Sequence, residues 1–196
     1  MWGEAHLSPT RPDLATKPDS FRRHMARAAS LLDHPNVTRV TDFGEEPDGL
    51  LYFTMEFLDG TSLRDLMRVG EAMPLESVVK VMTQVCLGLA HAHARGVVHR
   101  DLKPENIVLV QSPDDDGAER QHVKICDFGL AAAGHHDARE ISGTPEYMSP
   151  EQCSGDEVDG RGDVYACGVM LYELATGKLP FEGPNAMAIV NRHIGV

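Results

Sequence analysis

The chain has 196 residues, 18 of them Lys or Arg and 30 Asp or Glu, for a formal net charge of −12, and 42% are hydrophobic. That is the length and apolar content of one globular domain, or most of one. The excess of carboxylates argues against nucleic acid and membrane partners, because a phosphate backbone and an anionic lipid surface both demand a basic field.

Residues 1–20 are rich in Pro, Thr and Asp, keep no hydrophobic period and lack the apolar h-region of a signal peptide, so they read as a leader or loop. From 21 to 32, Phe21, Met25, Ala28, Ala29 and Leu32 recur at helical spacing, with Asp19 or Ser20 as cap and Pro35 as stop. Residues 37–43 alternate apolar and polar, 45–49 carry turn chemistry and 50–58 form a second apolar run, a pattern that predicts a hairpin. A short helix is expected over 61–69, capped by Thr61 or Ser62 and ended by Gly70.

The clearest helix spans 74–95, where Leu75, Val78, Val79, Met82, Val85, Cys86 and Leu89 make one stripe for core packing. Two short strands follow at 107–110 and 123–126, joined by a solvated loop containing Asp114, Asp115, Asp116 and Gly117. Residues 130–142 lose periodicity and suggest a mobile segment. Residues 164–176 are apolar on nearly all sides and predict a deeply buried helix, stopped by Gly177 and Pro180. The longest apolar stretch, 164–172, is far too short to cross a bilayer, and a cytoplasmic protein is expected.

Cys86, Cys126, Cys153 and Cys167 are widely separated and include no C-x-x-C pair. Reduced thiols, mostly in the core, are expected rather than a disulfide framework or zinc site. The His91, His93 pair and His135-His136 likewise lack a third ligand nearby in sequence.

The chemistry lies in His99-Arg100-Asp101-Leu102-Lys103-Pro104-Glu105-Asn106 and, 26 residues after Asp101, in Asp127-Phe128-Gly129. Taken singly, Asp101, Asn106 and Asp127 are ordinary turn and strand-end residues. In this order, flanked by strands, the two strings resemble the catalytic loop and metal-binding loop of eukaryotic-type protein kinases. Gly143-Thr144-Pro145 followed by Glu146-Tyr147-Met148-Ser149-Pro150-Glu151 resembles the end of that family's activation segment, with Ser149 in place of the usual Ala. Asp163, Tyr165 and Gly168 resemble the helix that anchors the catalytic loop, and Leu179-Pro180-Phe181 follows as in bacterial members.

The resemblance runs from about Ala5 to the C-terminus and implies an α+β, protein-kinase-like two-lobe fold. Residues 1–20 would be a leader with a remnant of early strands, and 21–58 part of the small β-rich N-lobe. Residues 59–196 would be a mainly α-helical C-lobe, ending before the family's last helices. The resemblance further implies that Asp101 is the catalytic base, that Lys103 contacts the transferred phosphate, and that Asn106 and Asp127 hold Mg2+. Thr144 would sit in the loop that receives the substrate hydroxyl. Met55 falls at the gatekeeper position, the backbones of Glu56 and Leu58 would receive the adenine of ATP, and Val108 would pack beneath the ring. Lys103, two residues after Asp101, follows the serine/threonine pattern, so the implied partner is a protein carrying a Ser or Thr acceptor. Arg100 is placed to pair with a phosphorylated activation segment, although Ser142 is the only hydroxyl residue between Asp127 and Thr144.

Departures are also legible. No G-x-G-x-x-G hairpin is present, Ser8 stands where the family's strand Lys is expected, and Met25 or His24 where its helix Glu is expected. The Arg that normally pairs with Glu151 would lie past Val196. Three readings follow: a serine/threonine kinase using Mg-ATP; a pseudokinase or scaffold module; or an inactive fragment of an active kinase.

Overall fold

A computed structural model describes residues 31–45, 51–67, 70–113, 119–128 and 144–195. The leader, nearly all of the helix expected at 21–32, the hairpin turn, the acidic insert from Asp114 to Gly117, and the segment 130–142 lie outside the described residues. So do Ser8, His24 and Met25.

The sheet-forming part comes first. Strands β1 (Val40–Glu45) and β2 (Leu51–Met55) pair antiparallel, with Val40 opposite Met55 and a register shift between Val40 and Asp42. Strand β1 starts three residues later than its alternation suggests. The backbone before it is already engaged: Thr38 N–H donates to Ile125 O and Ile125 N–H to Asn36 O, each at 2.9 Å, leaving Val37 in an isolated bridge to Ile125. A second antiparallel sheet has the order β3 (Gly60–Ser62), β4 (Ile107–Pro113), β5 (Glu119–Ile125). It sets Ser62 opposite Val108 and Val108 opposite Lys124.

The helical part is α1 (Leu63–Leu66), α2 (Leu75–His93), α3 (Pro150–Ser154), α4 (Gly160–Thr176) and α5 (Ala186–Ile194). Helix α1 is shorter than expected because Thr61 and Ser62 are consumed by β3. Ser62 does cap the helix, its hydroxyl accepting from Asp65 N–H at 3.1 Å. Helices α3 and α5 were not read from the sequence. Their caps are nevertheless there: Ser149 with Gln152 in a capping box, and Asn185 accepting from Ala188 N–H at 2.9 Å.

Helix α2 buries Val78, Val81, Met82, Val85, Gly88, Leu89 and Ala92. The predicted stripe is therefore rotated: Leu75, at 72% exposure, Val79 and Cys86 face outward. The rotation is fixed at Gly88, where an added Cβ would lie 2.8 Å from Ile125 Cδ1 and 3.0 Å from Asn36 O. Only glycine lets β5 and the segment before β1 approach so closely. Helix α4 corrects a second expectation. Ala166, Cys167, Val169, Met170 and Leu174 are buried, but Val164 is 63% exposed and Leu171 and Tyr172 are also exposed. Helix α2 packs on one side, and Tyr147 and His193 meet Glu173 and Tyr165 on another, which leaves Val164, Leu171 and Tyr172 exposed. For the same reason the cysteines are not mostly core: Cys167 is buried, Cys126 and Cys153 are half-buried and Cys86 is exposed.

Candidate active site

The loop between α2 and β4 is organised by one buried carboxylate. Asp163, 1% exposed on α4, accepts from His99 N–H at 2.9 Å and Arg100 N–H at 2.8 Å, and meets His93 Nε2 at 2.7 Å. Several donors are needed because one hydrogen bond does not repay the desolvation of a charge. From the other side Gln152, oriented by its capping box, donates its amide to Arg100 O at 2.6 Å. Held by both, Arg100 adopts φ +69, a left-handed conformation that a non-glycine residue keeps only where its surroundings over-determine it. Asp101 follows directly, its side chain 29% exposed.

His99 joins this loop to the end of β5. Its ring is fully buried and packs on Phe128 with centroids 4.7 Å apart. Nδ1 accepts from Asp101 N–H at 3.3 Å and Nε2 donates to Cys126 O at 2.8 Å. Asn106, also buried, donates its amide to Asp101 O at 2.8 Å, while its own carbonyl accepts from Cys126 N–H at 2.9 Å. Asp127, the next residue, turns at φ +61, a region Asp tolerates better than most.

Lys103 Nζ lies 2.8 Å from Asp101 Oδ2 and donates to Thr144 Oγ1 at 3.0 Å. One ammonium thus spans the carboxylate and the hydroxyl that precedes the turn Pro145–Tyr147. Burial pushes the Asp127 carboxyl above its usual range and the charge of Asp101 adds to this, against partial relief from His99 and Lys103. A divalent cation beside Asp127 would offset that opposition to its charge. The Asp127 carboxylate and the Asn106 amide are hard oxygen donors of the type Mg2+ takes. Among the described residues no group of three or more His, Cys, Asp or Glu could hold a metal unaided.

The remaining expected site residues form a second group. Met55 ends β2, Glu56 follows with its N–H donated to Arg39 O at 2.9 Å, and Leu58 lies two residues before β3. Val108 is half-buried on β4. The two walls meet through Lys124, which is paired with Val108 in the sheet and contacts Glu56 at 2.7 Å. The structure therefore brings Asp101, Lys103, Asn106, Thr144 and Asp127 into one cluster, while Glu56 and Val108 both meet Lys124 on the strand that leads to Asp127, and Met55 and Leu58 lie near Glu56 in the chain.

Sequence reasoning missed Gln152 and a partly buried network joining Arg64, Glu105, Tyr147 and Glu173. Arg64 Nε lies 2.9 Å from Glu105 and Nη1 3.0 Å from Glu173, and Tyr147 hydrogen-bonds both Arg64 and Glu173. Burial, then the Glu173 carboxylate, drives the Tyr147 phenol well above its ordinary range. The available signal was Glu173, a carboxylate within the apolar run 164–176, which demands a partner.

Comparison with known proteins places these features in context. The profile described as protein kinase domain matches residues 12–195. The chain is 42% identical over 182 residues to serine/threonine-protein kinase pkn3 of Myxococcus xanthus, covering 89% of this chain and 32% of that protein. It is 36% identical over 195 residues to serine/threonine-protein kinase PknB of Mycobacterium leprae, covering 94% and 30%. With serine/threonine-protein kinase PrkC of Bacillus subtilis it shares 36% identity over 178 residues, covering 89% and 26%. The chain spans about a third or less of the length of these curated relatives.

Proposed function

The chain belongs to the protein kinase family and has its α+β fold, and from that premise we propose that it transfers the γ-phosphate of ATP to Ser and Thr hydroxyls of proteins. The observation that carries this reading is the Lys103 ammonium bridging Asp101 and Thr144, with Asp127 beside them. Phosphoryl transfer asks a protein for positioning and charge compensation more than for covalent chemistry. Asp101 orients the acceptor hydroxyl and takes its proton. Lys103 offsets charge on the transferring group, and Thr144 holds Lys103 while lining the acceptor side. Asn106 and Asp127 would hold Mg2+, which when bound neutralises the phosphates. The backbones of Glu56 and Leu58 receive adenine, Val108 packs beneath it, and Met55 limits the depth of that pocket.

The pseudokinase or scaffold reading rests on positions outside the described residues, and no feature of the described site favours it. No helix among the described residues is long and apolar enough to cross a membrane. A cytoplasmic location, where ATP is supplied, accords with the reading.

The test is incubation of the folded chain with γ-labelled Mg-ATP and a generic protein substrate, followed by phosphoamino-acid analysis. Label is expected on Ser and Thr. Label on Tyr alone, or none from protein with a cooperative melt, overturns the proposal.

A further inference from the structure

The two walls of the proposed adenine pocket belong to different sheets. Glu56 and Leu58 extend from β2, whereas Val108 lies on β4, and β2 and β4 share no hydrogen-bonded ladder. The backbone ties between Thr38, Asn36 and Ile125 join the sheets ahead of β1, at the far side of Arg39 from the hinge. Beside Glu56, among the described residues, a side chain makes the crossing. Lys124 sits directly opposite Val108 in the β4–β5 pair. Opposite residues in an antiparallel pair project from the same face, so Lys124 leaves the sheet beside Val108. Its ammonium reaches Glu56 Oε1 at 2.7 Å. The same oxygen accepts from Arg39 N–H at 2.8 Å, while Glu56 N–H donates to Arg39 O at 2.9 Å.

Glu56 is therefore clasped to its own sheet by Arg39 and pulled toward the other by Lys124. Glu56 has a hydrogen-bond donor in Arg39 without Lys124, so the ammonium is not needed to satisfy it; what Lys124 adds is a connection between walls. The pair is largely shielded from water, with side-chain exposures of 18% for Lys124 and 32% for Glu56, so its attraction is screened less than that of a surface pair. Burial opposes ionisation of Glu56, but the Lys124 and Arg39 hydrogen bonds and their charges outweigh it and hold the carboxyl below its usual range.

We propose that Lys124 is a positioning residue for the nucleotide: through the Glu56 carboxylate it sets the spacing between the hinge backbone and the Val108 floor, and so the affinity for the adenine moiety. The inference rests on the kinase reading and adds a residue to it that touches neither phosphate nor metal.

The test uses the full chain carrying Lys124→Met, which keeps the stem and removes the charge, and Lys124→Arg, which keeps the charge. Steady-state transfer gives KM and kcat for ATP, and fluorescence competition gives binding of ATP and of adenosine, which has no phosphates. Lys124→Met is expected to weaken ATP and adenosine alike, by about three- to tenfold, with kcat changed less than twofold and with Lys124→Arg restoring most of the affinity. Unchanged affinity in Lys124→Met overturns the proposal, as does a loss for ATP without one for adenosine, which would make Lys124 a phosphate contact. If Lys124→Met loses its cooperative melt, Glu56→Gln, which retains an acceptor for Arg39 N–H, is read by binding alone, and ATP and adenosine are expected to weaken alike by the same factor. A wild-type chain that binds neither ATP nor adenosine overturns the kinase reading itself, and the two failures are thereby distinguished.

Discussion

Asp127 is held in the fold under conditions that oppose its charge. Burial and the neighbouring Asp101 both favour its protonated form, and the backbone around it turns at positive φ. A carboxyl whose folded pKa is raised stabilises the fold below its unfolded value, ordinarily 3.8, and that contribution is lost as pH rises through the folded value. Ionising Asp127 in the metal-free protein therefore costs stability. Asp127→Asn is expected to raise the metal-free Tm at pH 7 by roughly 2–4 °C, the gain vanishing as pH falls toward 4, while abolishing Mg-dependent nucleotide binding. Thermal melts across pH with and without Mg-ATP check both halves. A lower Tm at pH 7 would show that Asp127 stabilises the fold rather than serving the site against it. This residue was legible because it falls in a short string with a fixed companion. Gln152 was not, because its contact, to a backbone carbonyl 52 positions away, leaves no local pattern.

At the scale of elements, periodicity identified α2 and α4 but misjudged which sides they bury. A hydrophobic stripe reports that a helix packs; the rotation of its buried face depends on where a neighbour approaches closest. In α2 that point is Gly88, which no stripe includes. In α4 the apolar residues outnumber the contacts available. Met170, fully buried, and Leu171, adjacent and 46% exposed, give a direct comparison. Met170→Ala is expected to cost about 2–5 kcal/mol in urea unfolding and Leu171→Ala less than about 0.5 kcal/mol. Equal costs would mean that both faces of α4 are packed.

The join between α2 and the segment before β1 carries a further expectation. The His34 and His91 rings lie tilted against each other with centroids 4.9 Å apart; the charges of Arg95 and Lys124 act on His34, and those of Arg95 and Asp33 on His91. Burial, then neighbouring positive charge, lowers the pKa of both rings below 6.5. A histidine with a lowered folded pKa contributes stability above the unfolded value and loses it as pH falls through the folded one. Melting temperature is thus expected to fall below about pH 6.5, and His91→Phe, which keeps a ring against His34, to flatten that slope. An unchanged slope in His91→Phe would remove this pair from the acid response.

For the molecule as a whole, the two motif strings and their order carried the fold and named most residues of the candidate site, because functional residues concentrate on short loops next to strands. What they could not carry is the set of long-range ties that hold those loops: Asp163 to residues 99 and 100, Arg64 to Glu105 and Glu173, Lys124 to Glu56. These are single polar side chains meeting across sequence separations that hydrophobic patterning does not encode. The central claim is that this scaffold presents Asp101 as the base for phosphoryl transfer to a hydroxyl. The most direct measurement is the turnover of Asp101→Asn against wild type, with binding of a fluorescent ATP analogue measured on both proteins. The account predicts a fall in kcat of about 10²–10⁴-fold with nucleotide affinity unchanged within a few fold. An Asp101→Asn protein that turns over at the wild-type rate would contradict it.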